Sequence, residues 1–150
     1  MIYDRTQEDI ENARRIIAEK VQKFYELSDD ELEILERGSV TIDTLNRISQ
    51  KQDELLNLFR SLGYYGEKFM PLKWNIGDIF NENDLINLIN RNEILRLIFY
   101  TYSDTPSRAA SEYTYTAFND IEKLLFDLGN MYEFVVENIK ECDTFDSGEE

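Results

Sequence analysis

Residues 118–139 read FNDIEKLLFDLGNMYEFVVENI. Phe118, Ile121, Leu125, Leu128, Tyr132, Val135 and Ile139 recur there in strictly alternating steps of three and four, which places them on one stripe of an α-helix. A stripe this regular needs apolar partners along its length, and the rest of the chain offers them at the same period. Residues 7–26 align Ile10, Ala13, Ile17, Val21 and Phe24, continuing to Leu27, with Thr6 as N-cap. Ser28 with Glu31 forms a capping box, and Leu27 with Leu32 a hydrophobic staple, opening a short helix that Gly38 stops. Thr41 caps a third helix whose stripe is Leu45, Ile48, Gln52, Leu55, Phe59 and Leu62, with Val40 as staple to Leu45 and Gly63 as stop. Asn81 caps a fourth helix, over about 82–101, with Phe80 stapled to Leu85. Being apolar on more than one side, it is expected to be the most buried element. No segment alternates with period two, so the expected fold is all-α: an irregular bundle of about four long helices and one short one, with residues 1–140 as one helical domain and 141–150 as an acidic, flexible tail.

The composition narrows the chemistry. Of 150 residues, 42% are hydrophobic and 13% aromatic, too many for a disordered chain even at a net charge of −15. Thirty-one acids against sixteen bases repel phosphates, so binding to nucleic acid or to an anionic membrane is not expected. There is no histidine and one cysteine, Cys142, which excludes His-based triads, most zinc sites, an internal disulfide and any CxxC motif. The chain lacks a Gly-rich phosphate loop, a GxSxG elbow and a calcium loop, and carboxylate pairs are unavoidable with so many acids. The expectation is therefore a protein that is not an enzyme and takes no metal or cofactor. With no secretory signal and no membrane-length apolar run, it is expected to be made in the cytoplasm.

Two regions invite a partner. Residues 63–80 lack helical period yet carry Tyr64, Tyr65, Phe69, Met70, Leu72, Trp74, Ile76, Ile79 and Phe80. Either they form a lid burying Phe69, Leu72, Trp74 and Ile79, or Tyr64, Tyr65, Phe69 and Trp74 contribute to an interface. The charge is also uneven: residues 112–150 hold eleven acids against Lys123 and Lys140. That acidity is either a solvated face or one that steers a basic partner, with Glu133, Glu137 and Glu141 as candidate contacts. Pairing of the last helix with another copy of the chain is a further option.

Read in order, several segments resemble a known family. Tyr3-Asp4-Arg5-Thr6-Gln7 is similar to the opening of a helical module found in tail and other virion structural proteins of bacteriophages and prophages. Thr44-Leu45-Asn46-Arg47 resembles that module's Asp-Leu-Asn-Arg signature, and Trp74 to Ile79 sits where the module has a Trp followed by an Asp-Ile pair. Tyr115 to Leu125, containing Asn119-Asp120-Ile121-Glu122, is similar to its Ala-Asn-Asp-Ile-Glu-Lys-Ile-Leu stretch, and Ser147-Gly148-Glu149 resembles its close. Gly38-Ser39-Val40-Thr41 and Phe118 depart from the module, which has Gly-Ala-Tyr-Asn and Ala there. The resemblance implies a non-enzymatic part of a virion, a helical adaptor of the tail or baseplate region whose partners are other virion proteins.

The motif residues also have physical readings. Asp120 and Glu122, in the first turns of a helix, favour the positive end of its dipole, and Arg47 reaching one of these acids would lock two helices in register. A rival expectation draws on charge alone: a phage-encoded inhibitor whose acidic surface mimics nucleic acid and blocks a host defence protein.

Overall fold

A computed structural model describes residues 1–149, with side chains for residues 1–139. The chain is all-α, and no strand occurs among the described residues. The helices are α1 (Gln7–Glu19), α2 (Asp29–Gly38), α3 (Ile42–Ser61), α4 (Glu82–Ile98) and α5 (Tyr115–Glu149), with one 3-10 turn, Val21–Lys23, after α1. The first four start at capping boxes built by Thr6, Ser28, Thr41 and Asn81, whose side chains accept from the backbone three residues on while that residue reaches back. Thr114 caps α5, its hydroxyl accepting from Ala117 N–H at 3.2 Å.

The helices form two groups. In the first, α3, α4 and α5 pack on one another around Ile48, Leu55, Phe59, Leu88, Leu95, Ile121 and Leu125, all fully enclosed. The stripe that opens α5 is buried as far as Leu128, but beyond it Tyr132 and Val135 are only half-buried and Ile139 is exposed. In the second group, α1 and α2 form an antiparallel hairpin. Lys20 meets Glu31 at 2.6 Å at one end, and Gly38 lies against Asp9 and Ala13 at the other.

Several expectations change. α1 ends at Glu19, short of residue 26, and Val21 and Phe24 lie outside the core because the chain closes there into a Schellman turn. Tyr25 N–H donates to Lys20 O at 3.0 Å, which forces Phe24 into the left-handed region at φ 57° and leaves it 96% exposed. Such a backbone costs a non-glycine residue about 1–2 kcal/mol. Gly63 closes α3 by the same bonds, with φ 93°, as the stop signal suggested.

Gly38 has a different reason to be glycine. It is the last residue of α2, and a Cβ there would stand 1.9 Å from the Asp9 carbonyl oxygen and 2.6 Å from the Ala13 Cβ. It is the point where two helix backbones touch, not a left-handed stop. Nor is α4 the most buried helix: its second apolar side, with Ile94 and Leu97, faces outward, and Leu97 is 85% exposed.

Residues 63–80 are a loop that covers the α3–α4 group only in part. Trp74 is buried, and Phe69 and Leu72 pack half-buried against the core, but Ile79, expected beneath the lid, is 85% exposed. The acidic tail expected over 141–150, with Glu141 and Cys142, falls outside the described side chains.

The two glycines give a contrast that chemical denaturation can read. Gly38→Ala must push two backbones apart and is expected to cost about 3 kcal/mol. Gly63→Ala, which meets open space and pays only for its backbone angle, is expected to cost about 1 kcal/mol.

Candidate functional site

The stretches singled out in the sequence meet around one carboxylate. Glu122, on the second turn of α5, is fully buried, with 0% of its side chain exposed. Its Oε1 accepts from Arg5 Nη2 at 3.0 Å and from Arg47 Nη2, on α3, at 3.0 Å. Its Oε2 accepts from the Ile2 backbone N–H. Arg5 is itself enclosed, and its Nη1 donates to Ile2 O at 2.6 Å. Asn119, one turn earlier on α5, takes both backbone groups of Arg5: its Oδ1 accepts from Arg5 N–H and its Nδ2 donates to Arg5 O, each at 3.0 Å. The extended N-terminal segment is thus fastened to α5 like an added strand, through side-chain amide bonds.

Arg47 bridges outward, donating to Glu36 of α2 at 2.6 Å. A second ion cluster ties the same segment to the hairpin: Arg37 donates to Asp9 at 3.1 Å and to the Asp4 carbonyl at 3.1 Å, and contacts the Asp4 carboxylate at 3.2 Å. The Asp9 carboxyl is lifted by burial, but bonds from the Thr6 backbone and from Arg37 outweigh that and hold it below the usual carboxylate range. Arg37 is raised in turn, chiefly by its bond to Asp9. Lys20 holds Glu31 low in the same way. Asp120 has no such partner among the described residues, and burial pushes it up.

Asn46 immediately precedes Arg47 on α3. Its amide pairs both backbone groups of Trp74, Nδ2 donating to the carbonyl and Oδ1 accepting from the N–H, each at 2.9 Å. Ser49 adds a bond to Leu72 O at 3.1 Å. The loop is thereby fixed to α3 by polar contacts as much as by the Trp74 ring, which packs edge-on to Phe80. Leu45 and Ile121 are core residues, and Thr6 is a cap. Of the residues proposed as contacts, Tyr64 is half-buried, with its hydroxyl 3.3 Å from that of Tyr100. Phe69 lies beneath the Arg91 guanidinium at 4.7 Å, Tyr65 is exposed, and so are Glu133 and Glu137.

Sequence reading missed a second buried polar chain. Gln52 Nε2 donates to Leu88 O and to Asn92 Oδ1, each at 2.8 Å, and Asn92 Nδ2 donates to Ile121 O at 3.1 Å, so one chain of amides crosses α3, α4 and α5. A Gln inside an apolar stripe was its signal. Arg91 was also unforeseen: it reaches the Met70 carbonyl and stands 3.5 Å from Asp53.

Among the described residues, no group of three or more carboxylates or thiols is gathered as a metal site, and no described helix is long and apolar enough to cross a membrane. Compared with family models, with curated proteins and with solved structures, the chain matches none. The Arg5–Glu122–Arg47 cluster therefore has to be read on its own chemistry. Glu122 is paired by Arg5 and Arg47, and these arginines make their other bonds to the Ile2 carbonyl and to Glu36 of the same chain, which makes the cluster a structural lock.

Two measurements follow. Glu122→Gln leaves two guanidinium groups facing a neutral amide and is expected to cost about 3 kcal/mol in urea unfolding. Arg47→Met leaves the neutral Arg5–Glu122 pair intact and should cost about 1 kcal/mol. In the pH direction, the depressed Asp9 and Glu31 contribute stability that is complete above the ordinary carboxylate range and is lost as the pH falls through their lower folded values. The raised Asp120 acts with the opposite sign and offsets part of this loss. Hydrogen exchange should accordingly show α1 and α2 amides losing protection below about pH 4 before those of α3, and Asp9→Asn should flatten that dependence.

Proposed function

We propose that the chain is a non-enzymatic structural protein of a bacteriophage or prophage, a helical adaptor of the tail or baseplate region that works through protein–protein contacts. The observation that carries this reading is the meeting of the family-like stretches. Short resemblances gathered by chance along a sequence would be scattered in space. Here Arg5 of the first, Arg47 of the second and Asn119 with Glu122 of the last meet at one carboxylate, and Asn46, the residue before Arg47, holds the Trp74 stretch. A module defined by such residues is defined by its internal lock, which leaves its surface free to vary with its neighbours in a particle. The exposed apolar residues support contact work of that kind, since Tyr65, Met70, Ile76 and Ile79 crowd one loop.

Mass spectrometry of purified virions, with electron microscopy of particles from a strain lacking the gene, tests the proposal. The expected result is the chain in tailed particles and incomplete tails without it. Complete infectious tails assembled in its absence, with no chain in wild-type particles, would overturn the proposal. If the chain were then recovered on a basic host defence protein, with capture abolished by acid-to-amide changes, the nucleic-acid mimic would take its place.

A further inference from the structure

The tip of the α1–α2 hairpin breaks a local rule. In the turn that closes α3, the left-handed position is Gly63; in the equivalent turn after α1 it is Phe24. None of the described residues covers the ring, and Tyr25 and Leu32 are also more than half exposed. A strained backbone that displays an aromatic side chain to solvent is what a contact anchor looks like.

The other half of the hairpin carries a matching recess. A cleft of about 500 Å³ opens between α1, the end of α2 and the approach to α5, walled by Ile10, Ile17, Val40, Tyr113 and Phe118. Of the charged residues lining it, Arg5 is enclosed and already paired to Glu122, whereas Arg14 is exposed and makes no ion pair among the described residues. No carboxylate lines it. The tip has the opposite character: residues 21–33 carry five acids against Lys23, and of these acids only Glu31 is paired, with Lys20, among the described residues. Because the cleft lies along α1 and the tip lies past the end of that rigid helix, a tip cannot fold back into the cleft of its own chain.

We infer that the cleft receives the Phe24 tip of a second copy of this chain, in a head-to-tail contact of aromatic anchor into apolar recess with acids facing Arg14. Such a contact uses two different surfaces on each copy, so it continues from copy to copy and yields a ring or an open string, not a closed two-fold dimer. It follows from the geometry of the chain alone and goes beyond the virion reading, so either can fail without the other.

Light scattering coupled to size exclusion, run from micromolar to near-millimolar concentration, is the test. The wild-type chain should assemble in a concentration- and salt-dependent way. Phe24→Gly should weaken assembly roughly thirtyfold while melting at the same or a higher temperature, because glycine accepts the turn without strain. Phe24→Asn, which also tolerates that backbone, serves if the glycine variant does not fold. Arg14→Glu should weaken assembly as well, and mixing it with Phe24→Gly should restore a single two-copy complex, since one partner retains the tip and the other the cleft. A wild type that stays monomeric throughout, a Phe24→Gly chain that assembles like wild type, or a mixture that forms no complex would each overturn the inference.

Discussion

A carboxylate sealed from water stays charged only with cations beside it, and Glu122 draws its two from distant parts of the chain. Arg5 comes from an extended segment that belongs to no helix, and Arg47 from the first half of α3. Bringing them together fixes the N-terminal segment on α5, the register of α3 against α5, and, through Glu36, the position of α2. Apolar substitutes often support a fold as well as a buried ion cluster does. What the cluster adds is selectivity among packings: a helix slid by one turn would leave a bare charge in the core. The amides of Gln52 and Asn92 act alike deeper in the bundle, where Leu and Ile alone would tolerate more than one alignment.

The hairpin is joined to the α3–α5 group chiefly by charge and by the N-terminal segment. Between α1 and α2 the contact is steric at Gly38 and ionic at Arg37–Asp9; outward from them it is ionic, through Arg37 to Asp4 of the N-terminal segment and through Glu36 to Arg47 of α3. The cleft between α1, the end of α2 and the approach to α5 has none of these pairs in its lining, so what enters it meets apolar walls and Arg14.

Much of this was legible in the sequence because it is local. Caps, staples and stripe periods are written within four residues of one another, and Thr6, Ser28, Thr41 and Asn81 all begin helices where their side chains indicated. The all-α class followed from the same signals. What periodicity could not convey was which apolar face meets another. Phe24 continues the stripe of Ile10 and Ile17 on paper but is the left-handed residue of the turn that ends the first helical stretch, and Leu97 continues the apolar side of α4 toward solvent. Gly38 was read as a stop because glycine after a helix usually is one; its closeness to Asp9 depends on a pairing of helices that no local pattern encodes. For the cluster, the residue types were visible, and an Arg47 bond to an acid of α5 was anticipated. The place of Arg5 was not, since nothing near it in sequence announces a partner 117 positions away.

That separation governs how the chain is born. Residues leave the ribosome in order, and Ile2 and Arg5 emerge long before Asn119 and Glu122 exist to receive them. The hairpin and the α3–α4 pair can form on the nascent chain from nearby contacts, but the first five residues must wait for α5 to be translated. The lock therefore closes last. Any fragment truncated before α5 would expose Arg5 and the apolar faces of α3 and α4, the kind of surface that quality control recognises.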